Sequence, residues 1–110
     1  MWIIHKDGFV SLVQHDDDAT LIRARARRAR HLRDTFGAHV EIIDLGTDAP
    51  DYRYHANVPR VDVIDVMTEA ILDLDYTSHV KEEVAGKDTE FYEAMMQCWS
   101  ALYTLQSEPA

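Results

Sequence analysis

The chain reads as an α+β domain: an antiparallel four-stranded sheet in the order ββαββα, with helices on one face and a further C-terminal helix. Three observations predict it. Two stretches alternate apolar and polar residues with a period of two, Leu21 to Arg25 and Tyr52 to Val58, as half-buried strands do. Two others repeat apolar residues every three or four positions, Val63 to Leu74 and Phe91 to Leu105, the signature of helices with one buried stripe. The turn formers Gly8, Asp16-Asp17-Asp18, Gly37, Gly46, Pro50 and Pro59 fall between these stretches and not inside them.

In chain order, a turn at Asp7-Gly8 leads into Phe9-Val10-Ser11-Leu12-Val13-Gln14, an apolar, partly β-branched run of strand length, and the three aspartates after it form a polar turn. The stretch Thr20 to Phe36 is ambiguous. Ile22, Ala24 and Ala26 alternate with Arg23, Arg25 and Arg27, whereas Ala29, Leu32 and Phe36 have helical spacing. We divide it into a strand over about Leu21 to Arg25, paired as a hairpin with Phe9 to Gln14, and a helix from about Arg27 to Phe36 that stops at Gly37. A single helix from Asp18 to Phe36 is the competing reading. Val40 to Leu45 forms a short strand. Tyr52, Tyr54, Ala56 and Val58 face one way in the next, with Arg53, His55 and Asn57 facing the other, and Pro59 closes it because proline cannot donate to a ladder. A helix from about Arg60 to Asp75 buries Val63, Val66, Met67, Ala70, Ile71 and Leu74, and Asp62, Asp65, Glu69 and Asp73 line its other side. Tyr76 to Gly86 is irregular or a short helix. The last helix, capped by Asp88 or Thr89, carries Phe91, Met95, Cys98, Trp99, Leu102 and Leu105 on one broad face.

The 110 residues suit one domain spanning 1–110, and a 46% hydrophobic fraction beside 28% charged residues is a globular composition. No apolar run approaches the roughly 20 residues of a membrane helix, and the opening Met1-Trp2-Ile3-Ile4 is too short for a signal peptide. The single cysteine, Cys98, lies on an apolar helical pattern, which assigns it to the core and fits a reducing compartment. The expected location is the cytoplasm.

These patterns accompany a resemblance. The Met1-Trp2 opening, Gly8-Phe9 with Ser11-Leu12-Val13-Gln14, Arg23-Ala24-Arg25, Tyr52-Arg53-Tyr54 running to Val58-Pro59-Arg60, Asp75-Tyr76, and a closing helix with Trp99, Leu102-Tyr103 and Leu105-Gln106 together resemble a small family of uncharacterised bacterial and phage-associated proteins. The likeness spans most of the chain. It departs after Asp75-Tyr76, where the family tends to a Pro-Asn-Phe-Lys run and this chain has Thr77-Ser78-His79-Val80-Lys81. The resemblance implies one compact unit and lends no activity.

Charge is unevenly spread. The net charge is −9, yet residues 1 to 60 hold nine basic and nine acidic side chains, so the excess lies in the second half. Arg23, Arg25, Arg27, Arg28, Arg30 and Arg33 are six of the eleven basic residues. Planar guanidinium groups suit carboxylates and phosphates, and Arg23, Arg25, Arg27, Arg30, Arg53 and His55 are the candidate binding residues. The bland alternative pairs these arginines with the protein's own acidic side chains.

The histidines include no pair at metal-site spacing and Asp16-Asp17-Asp18 lacks the pattern of a calcium loop, so no metal or other cofactor is expected. No nucleophile elbow, phosphate loop or poised carboxylate pair is visible. The sequence thus favours a small non-enzymatic interaction module that binds a protein partner through a charged face, with the sheet strands or the C-terminal helix offering a surface for a homodimer. Three alternatives stand beside it: weak nucleic-acid binding through Arg23, Arg25 and Arg53; acidic helices that imitate nucleic acid and occupy a basic groove on a host protein; and an enzyme whose site is dispersed in sequence.

Overall fold

The computed structural model describes residues 1–107, which divide into two compact units, Met1–Asp75 and the chain from Tyr76 onward. The first unit holds an antiparallel sheet of five strands, β1 (Trp2–His5), β2 (Gly8–Gln14), β3 (Leu21–Ala26), β4 (Ile43–Asp44) and β5 (Tyr54–Pro59), in the spatial order β1-β2-β3-β5-β4. Helices α1 (Ala29–Phe36) and α2 (Arg60–Leu72) lie over one of its faces. The α+β class stands, with one strand more than expected. Trp2-Ile3-Ile4 is too short to alternate visibly and becomes β1 only through pairing with β2, where Ile3 meets Val10 and His5 meets Gly8.

The covered face explains why residues 20 to 36 split into strand and helix. Ile22, Ala24 and Ala26 are buried, while Leu21, Arg23 and Arg25 between them are half-buried, an alternation that a helix cannot produce. Ala24 lies opposite Ala56 in the middle of the sheet, and both are fully buried. These small side chains leave a floor on which Leu32 and Phe36 of α1 and Val63 of α2 sit, with Val10, Leu12 and Val58 at its margins. Helix α1 begins at Ala29 and stops at Gly37, whose φ of +106° suits glycine and whose N–H donates to the carbonyl of Arg33 at 2.8 Å.

Two histidines fasten the β1–β2 hairpin to α1. His5 Nε2 lies 2.9 Å from Thr35 Oγ1, and the Phe9 N–H donates to His31 Nδ1 at 3.2 Å. The His31 ring rests directly on Gly8, where a Cβ would come within 2.4 Å of the ring and the φ of +149° disfavours other residues. Burial, followed by the Arg30 and Arg28 charges, pushes the His31 pKa down to about 4, and burial lowers that of His5 as well.

Arg60 ties the other end of the sheet. Its Nε donates to the Ala19 carbonyl at 3.0 Å, its Nη2 to Gln14 Oε1 at 2.9 Å, and its backbone N–H to the Thr20 carbonyl at 2.7 Å. Asp18 shapes that same connection by accepting from both the N–H and the hydroxyl of Thr20.

Several boundaries differ from expectation. The strand expected over Val40 to Leu45 shrinks to two residues, because only Ile43 and Asp44 reach the ladder of β5. Helix α2 ends at Leu72, and its buried stripe is shorter than its spacing suggested: Val63 is buried and Val66 and Met67 pack at the core's edge, but Ala70, Ile71 and Leu74 are exposed.

In the second unit, α3 (Val80–Val84) packs on α4 (Thr89–Tyr103), which continues into a 3₁₀ turn over Thr104–Ser107. Val84, Phe91 and Met95 are the buried residues here. Asp88 caps α4 by accepting from the Phe91 N–H. Cys98 is exposed, which corrects its assignment to a core, and Trp99, Leu102 and Leu105 on the same pattern are exposed with it. The apolar repeat marks the helix, and the residues of it that are buried, Phe91 and Met95, lie in its first half. Among the described residues, no helix is long and apolar enough to cross a membrane.

Candidate binding face of the sheet

The face of the sheet opposite α1 and α2 is built by the residues that alternate with the core. Antiparallel register places Trp2 (β1), Ser11 (β2), Arg25 (β3), His55 (β5) and Ile43 (β4) in one row across all five strands. A second row runs Val13, Arg23, Asn57, and a third pairs Ile4 with Phe9. The sequence-derived candidates Arg23, Arg25 and His55 therefore do meet on one face.

The others take different positions. Arg27, just past β3, reaches the same face, with its guanidinium carbon 4.1 Å from the centre of the Tyr52 ring and its Nη2 3.2 Å from Asp51. Arg53 turns away from it. Its Nε and Nη2 donate to the two carboxylate oxygens of Asp44 at 2.8 and 3.0 Å, and its guanidinium lies 5.0 Å from the Tyr54 ring. Arg30 belongs to α1 and so stands on the covered side of the sheet.

Tyr52 departs most from expectation. Alternation placed it beside Tyr54 and Ala56 under the helices, but a bend at Arg53 breaks the strand, and Tyr52 swings to the arginine face. There it is 4% exposed, stacked on Phe9 at 6.4 Å and flanked by the guanidinium carbons of Arg25, at 4.7 Å, and Arg27. Phe9 in turn meets Trp2 edge-on at 5.6 Å. Trp2, Phe9 and Ser11 are not among the sequence-derived binding residues, and Tyr52, which heads the aromatic-basic run Tyr52-Arg53-Tyr54-His55, is expected from sequence to pack under the helices. Their partners are distant in the chain, so only the register brings them together; the Pro50-Asp51 pair ahead of Tyr52 was the one local signal of a break.

Neither the family models, nor the curated proteins, nor the solved structures include a match to this chain.

The candidate arginines are not equivalent. Arg23 pairs with Asp16 at 3.2 Å, Arg27 with Asp51, and Arg53 with Asp44. Arg25 has no carboxylate among the described residues. Its one hydrogen bond goes from Nη2 to the hydroxyl of Ser11 at 2.9 Å, and its Nε is buried with no acceptor. A guanidinium carries five N–H donors; with one on Ser11 and the Nε–H buried, three on Arg25's Nη atoms remain unused by the protein. Its neighbour His55 is held toward the neutral form, first by burial and then by the charges of Arg23 and Arg25. The centre of the face is thus a cation with donors to spare, set on an aromatic ring and bordered by a neutral imidazole. Such an arrangement has the geometry and charge to receive a planar anion. Among the described residues, no three His, Cys, Asp or Glu side chains converge as a metal site.

Proposed function

We propose that the protein is a non-enzymatic interaction module that binds an acidic segment of a protein partner across the arginine face, with Arg25 receiving a carboxylate. The state of Arg25 carries this reading: it is the cation of the central row that lacks a carboxylate, while Arg23, Arg27 and Arg53 each hold one. Ser11 and the Tyr52 ring fix the guanidinium in place, so little side-chain entropy is lost when an anion docks. Trp2, exposed on the same row, supplies an aromatic anchor of the kind enriched at protein interfaces.

A nucleic-acid reading through Arg23, Arg25 and Arg53 fits less well. Two of the three are already neutralised by Asp16 and Asp44, which leaves Arg25 alone and no run of free cations to track a phosphate backbone. The exposed, unpaired Cys98 thiol suits a reducing compartment, and we accordingly place the protein in the cytoplasm.

The test is a titration of isotope-labelled protein with a glutamate-rich peptide and, in parallel, with an oligothymidylate of similar length, followed by NMR. The peptide is expected to shift the Arg25 Nε–H, the Ser11 amide and the His55 ring, and Arg25→Met to abolish those shifts. Tighter binding of the oligonucleotide, or peptide shifts that survive Arg25→Met, overturns the reading.

A further inference from the structure

We propose that β1 is a dimerisation edge, through which two copies of the chain join antiparallel about a two-fold axis at Ile3 to make one continuous sheet. It rests on the backbone of β1 and not on Arg25, and Trp2 is the residue it shares with the arginine-face reading.

The backbone pattern of β1 sets the chemistry of what fits there. Within the β1–β2 hairpin, Met1 and Leu12 exchange hydrogen bonds at 2.8 Å in both directions, and with alternation the next exchanging pairs are Ile3 with Val10 and His5 with Gly8. The N–H and C=O groups of Trp2 and Ile4 must then point outward. Among the described residues no strand lies on that side of β1, so this edge presents four backbone groups in the spacing of a ladder.

The pattern is self-complementary. Opposing Trp2 to Ile4 of a second copy, and Ile4 to its Trp2, satisfies all four groups on each chain and overlaps the whole strand, with Ile3 opposite Ile3. A two-fold contact of this kind closes on itself, as most homo-oligomer interfaces do.

The side chains agree. Trp2, Ile3 and Ile4 carry no charge, in a chain whose net charge of −9 opposes self-association almost everywhere else. Met1 is 76% exposed and Trp2 72%, two large apolar side chains at the strand that a second copy would cover. The devices that normally block an edge, a proline, a bulge or an inward charge, are missing from residues 2 to 5. The opposite edge has them in effect: β4 is two residues long, carries the Asp44–Arg53 ion pair and runs into a loop with Gly46 and Pro50.

The decisive variant is Ile4→Pro, which deletes one outward N–H per chain, hence two of the four intermolecular bonds, while leaving the odd-numbered bonds of the hairpin intact. Sedimentation of the wild type over a concentration series is expected to show a monomer–dimer equilibrium, about micromolar or weaker for so small a contact. Ile4→Pro is expected to remain monomeric throughout that series with an unchanged circular dichroism spectrum. Should that variant unfold, hydrogen exchange on the wild type decides: the Trp2 and Ile4 amides are expected to slow as concentration rises, with no change at the Arg23 and Arg25 amides, which already lie inside the sheet. A wild type monomeric at every concentration, a dimer that survives Ile4→Pro, or Trp2 and Ile4 amides that exchange freely at dimer concentrations overturns the proposal.

Discussion

The two faces of the sheet use the same strands and differ in what happens to polarity. On the covered face, Val10, Leu12, Ala24, Ala26, Ala56 and Val58 meet Leu32, Phe36 and Val63, and polar side chains, His31 and Thr35 of α1, enter where that helix meets the β1–β2 hairpin. The arginine face, one residue out of phase, packs Trp2 edge-on to Phe9, stacks Phe9 on Tyr52 and sets two guanidinium groups against the Tyr52 ring. Strand alternation alone makes both, because neighbouring residues project to opposite sides. The lesson is a division of labour: stability resides where apolar volume is enclosed, and binding potential resides where a cation is half-buried without a counter-charge.

Truncation should separate the faces first. Leu32 is fully buried against the alanine floor, which has no side chains long enough to collapse into a void, so Leu32→Ala is expected to cost about 4 kcal/mol in urea unfolding. A loss under about 1 kcal/mol would mean that α1 contributes little to the core and that the contrast between faces is wrong.

Acid should act next, and on the covered side. The folded-state pKa of His31 lies at about 4, below its ordinary 6.5, so the unfolded chain binds the extra proton between those values. The stabilisation from keeping that imidazole neutral is complete above pH 6.5, falls as pH drops and is gone near 4; it amounts to at most about 3 kcal/mol, with His5 adding in the same direction. Melting temperatures recorded from pH 7 to 4 should therefore decline, and His31→Gln should flatten the decline while lowering the starting value. An unchanged slope in that variant would place the acid sensitivity elsewhere.

Arg25→Met reverses the sign. Replacing a half-buried guanidinium that lacks a carboxylate with an apolar side chain of similar length is expected to raise stability by about 0.5 kcal/mol while abolishing peptide binding. A destabilisation of about 2 kcal/mol instead would make Arg25 a structural residue, held for its bond to Ser11 and its contact with Tyr52.

Much of this architecture was legible in the sequence. Alternation at Ile22, Ala24 and Ala26 identifies both β3 and its buried side and puts Arg23 and Arg25 on the other; of Arg53 and His55, expected together on the open side of the Tyr52 strand, only His55 joins them. What escaped was set by contacts between distant residues. Trp2-Ile3-Ile4 has no period of its own and becomes a strand only by lying along β2; Tyr52 changes face because a single bend resets the alternation. Cys98 shows the opposite failure, where a valid helical period promised a core that its neighbours do not supply. Periodicity reports which residues share a side, and only the fold decides whether that side is enclosed.

The smallest effect belongs to Arg53, and it tests where the arginine face ends. Asp44 accepts both Arg53 donors and the Gly46 N–H, and these bonds hold its carboxyl pKa at about 2, yet the pair stands in solvent, where water and salt screen it. Arg53→Ala should accordingly leave the melting temperature at neutral pH unchanged. The sensitive readout is Asp44 itself: without the guanidinium, its carboxyl should titrate nearer the usual aspartate range when followed by NMR. Because Arg53 points away from Arg25, peptide binding should also be unaffected, in contrast to Arg25→Met. Equal losses from the two substitutions would mean that the ligand reaches past Ile43 to the β4 edge, and the binding face would have to be redrawn to include the Asp44 turn.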